Sequence, residues 1–344
     1  MFDGGKEEYA QKRNARLIGV REASILHEQL NLANRVRGNR RPIDIFKIIS
    51  KDLKVPLLFK DLDNLEGICL KDPSPGILIN SKKLLSRQRF TAAHELGHHR
   101  MGHGNSLDQE IFQIVDEDRE DRPLEEVSAN WFAHSFLFPR WLYTIQGRGL
   151  GIKTKEDAID PNNVYQLSLR MGASYEATIY GLRSNNIISP HDVTNLKKVK
   201  PINLKKKLFR GEYDPDPRVD VWKMTESDHD RDFDLKEGDY VRLELPSRSP
   251  MGYTWGFKDS CFEENLDIIH DFYLISSSKN LIGGREKVAG LLKYRGPGVF
   301  KLELEERRSW LRSKKVIKNF STNLTINKAN ENGIPSFMKP QILS

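Results

Sequence analysis

Two histidines separated by three residues are the clearest chemical signal in the chain. They belong to the sequence His94-Glu95-Leu96-Gly97-His98. In an α-helix, residues four apart lie on the same face, so both imidazoles can bind one ion. Zn²⁺ is favoured because it accepts nitrogen and carboxylate ligands, with Mn²⁺ as the alternative. Glu95 follows the first ligand, where it can act as general base on a water molecule that attacks a carbonyl group.

A third protein ligand is expected from the next helix. A third histidine on the same helix would require glycine at 101 and histidine at 104, but the chain has Met101 and Gly104. We therefore expect a carboxylate, and Glu126 is the prediction, with Glu125 as the alternative. The helix face that Glu126 begins continues with Ala129, Asn130 and Ala133. Alanines on this face allow the two helices to approach closely.

Three further histidines lie near this pattern. His99 and His103 point about 100° and about 140° away from His98 on an ideal helix. We expect these two to be solvated or to contact a ligand, rather than to bind the ion. His134 lies two turns beyond Glu126 and is expected in the core or at the rim of the site.

The elements that position these residues are short strands and helices. Apolar residues at helical spacing predict a helix over 43–53. A small antiparallel sheet is predicted from strands at 55–59, 67–71 and 76–80. The last strand is either a core strand or one to which an extended substrate adds. The predicted ligand helices are 86–99 and 123–138, followed by two helices within 163–190 around a Gly-Ala-Ser turn.

Beyond residue 215 the hydrophobic period changes to two. Val241, Leu243 and Leu245 alternate with polar residues, and the same alternation recurs near 300–304 and 320–326. This pattern predicts an all-β unit, a sandwich. The fold class is therefore an α+β domain followed by an all-β sandwich. The predicted divisions are a helical extension at 1–40, the α+β domain at 41–195, a basic linker at 196–214, the sandwich at 215–330 and a tail at 331–344.

Composition excludes several classes of protein. The chain has 344 residues and a formal net charge of +7, which permits contact with nucleic acid without requiring it. Cys69 and Cys261 are the only cysteines, which excludes a disulfide scaffold and fits a reducing compartment. No apolar run approaches a membrane span and no secretory signal is visible, so we expect a soluble, cytoplasmic protein.

The stretches 76–103 and 125–139 closely resemble the ImmA/IrrE family of metallopeptidases. The shared pattern is R-F-T-x-A-H-E-x-G-H followed by E-x-x-A-N-x-F-A, and the resemblance covers roughly residues 40–190. It implies a zincin-like domain that ends in a helix-turn-helix-like unit. It also implies a zinc site of His94, His98 and Glu126, with Glu95 as catalytic base. Phe138 stands where the family usually has methionine. Family members typically cleave a helix-turn-helix repressor.

A second resemblance covers 238–257, 290–310 and 316–326. These segments are similar to chagasin-type inhibitors of papain-like cysteine peptidases, which are immunoglobulin-like sandwiches with three loops at one end. The implied recognition loops carry Tyr253, Trp255 and Trp310, with 283–285 as the middle loop. Large amphipathic side chains on such loops suit protein recognition. In the alternative, Tyr253 and Trp255 belong to the sandwich core.

Three functional hypotheses follow. The first is a zinc-dependent endopeptidase acting on a specific protein, a helix-turn-helix repressor or antitoxin, with the sandwich as recognition or regulatory module. The second is a protein-binding regulator or peptidase inhibitor acting through the sandwich. The third is a DNA-binding regulator that uses residues 163–210. For the group that stabilises the oxyanion, Tyr165 and His191 are examples of candidates.

Overall fold

The computed structural model describes residues 4–72, 74–108, 122–209, 216–258, 266–275, 287–308 and 316–327. Within these ranges the helices are α1 (Gly4–Gln29), α2 (Leu32–Asn39), α3 (Ile45–Lys47, continued by a π-helical turn, Ile48–Asp52), α4 (Leu85–Met101), α5 (Leu124–Leu137), α6 (Arg140–Leu150), α7 (Lys155–Ala158), α8 (Pro161–Met171), α9 (Tyr175–Ser184), α10 (Pro190–Lys197) and α11 (Pro201–Leu208). The strands are β1 (Leu57–Lys60), β2 (Gly67–Leu70), β3 (Gly76–Asn80), β4 (Ser106–Asp108), β5 (Val221–Thr225), β6 (Arg231–Lys236), β7 (Tyr240–Pro246), β8 (Thr254–Phe257), β9 (Leu266–Ile275), β10 (Lys287–Tyr294), β11 (Gly298–Arg307) and β12 (Val316–Asn327). None of the helices in the described ranges has the length and apolar character needed to cross a bilayer. The predicted tail lies outside these ranges.

The N-terminal helix is part of the first domain. Gly19 of α1 lies so close to α5 that a Cβ atom there would be 2.2 Å from the carbonyl oxygen of Ser128. At the other end of the contact, His27 Nε2 lies 2.9 Å from the carbonyl oxygen of Phe136, and the two rings stack. Residues 4–29 and 32–39 therefore form helices, and the first of these braces the helix that carries Glu126.

The first sheet is mixed, and the prediction of an antiparallel sheet is wrong in one pairing. Its strand order is β1-β3-β2-β4, with β3 parallel to β1 and antiparallel to β2. Because β3 is hydrogen-bonded on both sides, a substrate cannot add to it, and residues 76–80 are a core strand. The fourth strand has only three residues and follows α4, which left no periodic signal in the sequence.

Small residues let the two ligand helices approach. A Cβ atom on Gly97 would lie 3.1 Å from Phe132 and 3.2 Å from the Cα atom of Ala129. Four alanines of these two helices have no exposed surface: Ala92, Ala93, Ala129 and Ala133. The close spacing of α4 and α5 brings side chains of both helices within reach of one ion.

The C-terminal region is all-β, as predicted. Two four-stranded sheets have the orders β5-β7-β10-β9 and β6-β12-β11-β8. Each contains one parallel pair, β5 with β7 and β6 with β12. The alternating residues Val241, Leu243 and Leu245 are buried in the shared core, together with Leu302 and Leu324. The immunoglobulin-like assignment stays a prediction.

The predicted basic linker contains regular structure. Helix α11 occupies its middle, and Leu204 is buried. Lys205 is 6% exposed and donates hydrogen bonds to the carbonyl oxygens of Pro217 and Val219, at 2.9 and 2.7 Å. The segment predicted as a basic linker at 196–214 therefore contains a packed helix, because lysine stems can pack along a helix while the amine finds internal acceptors.

Helix α8 covers the outer edge of β5. Gln166 donates to the carbonyl oxygen of Val221 at 2.7 Å and accepts from the backbone N–H of Lys223 at 2.7 Å. The hydroxyl of Tyr165 accepts from the backbone N–H of Val221 at 3.1 Å. Polar side chains thus replace a neighbouring strand and satisfy an edge that would otherwise be open. The two domains are joined by specific hydrogen bonds.

A buried ion pair lies at the same interface. Arg170 donates two hydrogen bonds to Asp228, at 2.6 and 2.9 Å, and neither side chain has exposed surface. Arg231 approaches Asp228 at 3.5 Å and also donates to Gln146. Helices α8 and α9 form the predicted pair around Gly172, but α8 is packed against the sandwich, and half of the residues of α9 are buried. The residues of α8 that face the sandwich are therefore not available for contact with DNA.

We predict that Arg170→Met destabilises the protein by about 3–5 kcal/mol, because it leaves the carboxylate of Asp228 buried without its bidentate partner. Denaturant unfolding of the full chain measures the change. Arg148→Ala is the matched control, since Arg148 lies exposed on α6, and we expect a change within about 0.5 kcal/mol. Equal stability of the two variants would contradict this account of the interface.

Candidate metal centre

Three side chains from two helices converge on one point. The Nε2 atoms of His94 and His98, one turn apart on α4, lie 3.0 Å from each other. Glu126 of α5 places Oε2 3.2 Å from His94 Nε2 and Oε1 3.2 Å from His98 Nε2. All three ligand atoms lie within 4.8 Å of one another. The predicted set His94, His98 and Glu126 is therefore brought together, whereas Glu125 points to solvent.

Burial and neighbouring charge determine the ionisation of Glu126 in this cluster. Both imidazoles are almost fully buried, whereas the Glu126 side chain is 27% exposed. Burial alone raises the pKa of Glu126, but hydrogen bonds and charge from His94 and His98 outweigh it and hold this pKa well below its usual range. Two imidazole nitrogens and an ionised carboxylate are a donor set that fits Zn²⁺. In the described part of the chain, no second group of three such side chains occurs.

Glu95 follows His94 in the chain, and two strands of the sheet hold its side chain. Its side chain is fully buried, and Ser106 of β4 donates a hydrogen bond to Glu95 Oε2 at 3.0 Å. The backbone N–H of Cys69 on β2 donates in turn to the Ser106 hydroxyl at 3.4 Å. Gly67, also on β2, has no side chain; a Cβ atom there would lie 2.4 Å from Glu95 Oε1. Ser106 and Gly67 therefore shape the position of this carboxylate.

Sequence reasoning missed both of these supporting residues. Ser106 lies in a strand too short for a periodic pattern, and its contact with Glu95 depends on the pairing of β4 with β2. Gly67 was part of a predicted strand, but a glycine that begins a strand has several ordinary explanations. The close approach of β2 to α4 is visible only once the sheet is assembled.

The three further histidines occupy different environments. His99 is half-buried on α4, and His103 Nδ1 lies 3.0 Å from His98 Nδ1, so His103 contacts a predicted ligand. His134 is buried near Trp131 and Phe138, and burial lowers the pKa of His134 to about 3. His134 is therefore a neutral core residue, one of the two places expected for it.

The candidates for stabilising an oxyanion have other partners. The Tyr165 hydroxyl donates to Asp220 at 3.1 Å and accepts from the backbone of β5, so it belongs to the interface between the domains. His191 is exposed on α10, with its ring 3.3 Å from the side-chain nitrogen of Asn195. The structure does not bring either residue to the metal centre.

The predicted recognition residues of the sandwich separate into different environments. Trp255 is 8% exposed, contributes to the core and donates to the carbonyl oxygen of Pro246 at 2.8 Å, so the core alternative holds for it. Its position on β8 directs the indole inward. Tyr253 is half-buried, and the guanidinium of Arg308 lies 4.6 Å from its ring centre. Trp310 and the middle loop 283–285 lie outside the described residues.

Comparison with known families adds to this geometry. Residues 51–183 match the family model described as IrrE N-terminal-like domain, a peptidase family. Residues 234–324 match the chagasin family of peptidase inhibitors. Both family resemblances are confirmed. The chain joins an IrrE N-terminal-like domain, which indicates a metallopeptidase, to a chagasin-like domain, which indicates a capacity to bind proteases.

The similarity of the chain to solved structures is low in sequence identity and in TM-score. The cysteine protease inhibitor EhICP2 from Entamoeba histolytica is 15% identical, with a TM-score of 0.29, over 32% of this chain and 99% of the inhibitor. Amebosin is 18% identical, with a TM-score of 0.26, over 32% and 99%. A Mycobacterium tuberculosis transcriptional regulator is 12% identical, with a TM-score of 0.30, over 83% and 81%. The curated proteins gave no match to the chain.

We predict that Gly67→Ala destabilises the IrrE N-terminal-like domain by about 1–3 kcal/mol, because the new methyl group meets the side chains of Thr91 and Glu95. Gly76→Ala is the control, since Gly76 also begins a strand but its Cβ atom would meet neighbours only at 3.5 Å or more. Thermal or denaturant unfolding measures both. Similar shifts for the two variants would show that the contact with Glu95 is not the cause.

Proposed function

We propose that the chain is a zinc-dependent endopeptidase. The observation that carries this proposal is the cluster of His94, His98 and Glu126 with a buried acid, Glu95, next to the first histidine on the same helix. A purely structural metal site would need the three ligands but would not need Glu95. The match to a peptidase family supports the same conclusion.

The proposed chemistry divides between the ion and the protein. When bound by His94, His98 and Glu126, Zn²⁺ supplies Lewis acidity, which polarises a carbonyl oxygen and lowers the pKa of water. Glu95 accepts a proton from the attacking water and passes it to the amine nitrogen that leaves. Ser106 holds one Glu95 oxygen at 3.0 Å, which fixes the carboxylate during both transfers. The buried surroundings strengthen each of these electrostatic interactions.

The sheet supports an extended peptide as substrate. Among the described strands, β4 forms one edge of the sheet and β1 the other, and the first residue of β4, Ser106, contacts Glu95. A peptide paired with this edge would receive backbone hydrogen bonds and lie next to the general base. The edge strand β4, rather than residues 76–80, is therefore the strand to which an extended substrate would add.

The proposed substrate is a specific protein, a helix-turn-helix repressor or antitoxin. The resemblance of the first domain to the ImmA/IrrE family is the support for this substrate class. The sandwich would recognise or regulate, and its firm attachment through α8 and β5 holds it in one orientation. At its loop end, Tyr253 stacked with Arg308 provides a half-exposed amphipathic contact.

A second candidate function is protein binding or peptidase inhibition by the sandwich. The match of residues 234–324 to the chagasin family favours this alternative. It requires no hydrolysis, so it predicts that the biological effect survives changes at Glu95. The two candidates are therefore separated by variants of the metal centre.

We predict that the purified chain binds one zinc ion, and that Glu126→Gln weakens binding by at least about 100-fold because an anionic ligand is lost. Glu125→Gln is the matched control, since the neighbouring acid is exposed, and it should retain the affinity of the original protein. Competition with a chromophoric chelator measures both constants. The reverse order would make Glu125 the ligand and the described geometry wrong.

We predict that Glu95→Gln keeps its zinc but loses cleavage by about 10²–10⁴-fold, the usual contribution of a general base. The substrate for this test is the helix-turn-helix protein encoded beside the gene, if present, with cleavage followed by mass spectrometry. Arg148→Ala, at an exposed position on α6, serves as an active control. Undiminished cleavage by Glu95→Gln would overturn the peptidase proposal, and a retained biological effect without cleavage would favour the binding alternative.

A further inference from the structure

A histidine just beyond the ligand helix lies behind one of the predicted zinc ligands. His103 Nδ1 is 3.0 Å from His98 Nδ1, with the two rings 4.9 Å apart and inclined at 74°. The ligand cluster uses the opposite ring nitrogen of His98, Nε2. We infer that His103 is a positioning residue that fixes the ring of His98 for metal binding, an inference that rests on the proposed function.

The turn that ends α4 places His103 next to His98. The helix stops at Gly102, whose φ of 72° is left-handed and therefore suits glycine. The backbone N–H groups of Gly102 and His103 both donate to the carbonyl oxygen of His98. Lys71, just after β2, donates to the carbonyl oxygen of Gly102 at 3.2 Å and holds the turn from the sheet side.

The tautomer that metal binding requires determines which of the two histidines donates the hydrogen bond. A neutral histidine that offers Nε2 to a cation must carry its proton on Nδ1. His98 then donates from Nδ1, and His103 accepts on Nδ1 while its own proton lies on Nε2. Metal-binding histidines ordinarily give their second N–H to an oxygen acceptor, which sets both tautomer and ring orientation. Here an imidazole takes the place of that oxygen.

The contact separates this role from direct ligation. His103 meets the side of His98 that faces away from the ligand atoms, and it is not a member of the group that lies within 4.8 Å. His99 provides a natural comparison, because it is adjacent to His98 and half-buried on the same helix. A role in positioning predicts that His103 and His99 differ sharply in their effect on the metal.

The test uses the full chain and zinc itself. We expect His103→Ala to weaken zinc binding by about 10–100-fold, the usual effect of losing a partner of a ligand. His103→Asn should restore affinity to within a few-fold, because its amide oxygen can accept where Nδ1 accepted. His99→Ala should leave affinity unchanged. Chelator competition at one fixed pH gives the constants, and the visible spectrum of the Co²⁺-loaded forms reports the ligand geometry.

The possible results distinguish the positioning role of His103 from the peptidase proposal. If the original protein binds zinc and His103→Ala binds it equally well, the positioning role is wrong while the peptidase proposal stands. If His103→Asn is as weak as His103→Ala, accepting a hydrogen bond is not what His103 contributes, and the inference is again wrong. If the original protein binds no zinc, the peptidase proposal itself fails. Should His103→Ala unfold, the Asn variant alone still decides, because rescue requires the acceptor.

Discussion

The close approach of α4 and α5 is the constraint on which the site depends. A carboxylate on one helix can share an ion with two imidazoles on the other only if the backbones nearly touch. Gly97 and Ala129 permit that contact, since a larger residue at either position would hold the helices apart. Helix α1 also packs closely against α5 through Gly19, which helps to hold the ligand helix in place.

A second requirement is that a fully buried acid remain in place without blocking the ion. Glu95 meets it through support from outside its own helix: Ser106 donates to the carboxylate, and Gly67 leaves the space that the carboxylate occupies. Helix α4 therefore sets the spacing of the functional residues along the chain, and the strands of the sheet fix the position of the Glu95 carboxylate. His103 extends the same principle to the ligand His98, because a turn beyond the helix end brings back a hydrogen-bond acceptor.

Local spacing predicted the parts of the site that local structure determines. The positions of His94, His98 and Glu126 follow from helical periodicity and from small residues that recur on one face. The contact of Ser106 with Glu95 could not be predicted in this way, because it depends on a three-residue strand and on long-range pairing. Trp255 shows a related difficulty: an aromatic residue beside a loop has the same local sequence whether it faces solvent or the core.

The attachment between the domains was also invisible in the sequence. Periodicity predicts two helices within 163–190, but it does not reveal that polar residues of the first helix complete a strand edge 55 residues away in the chain. Arg170 is the clearest example of such a contact. Arginine is rarely found without exposed surface, and its burial here is explained only by its ion pair with Asp228. The two domains thus form a single unit whose orientation is fixed by hydrogen bonds rather than by a basic linker.

The most direct test of the central claim is the anomalous difference map of a crystal grown with zinc, measured on both sides of the zinc absorption edge. The account predicts one strong peak at about 2.0–2.2 Å from the Nε2 atoms of His94 and His98 and from a carboxylate oxygen of Glu126. A peak held by other residues, or density at these side chains without a peak, would contradict it.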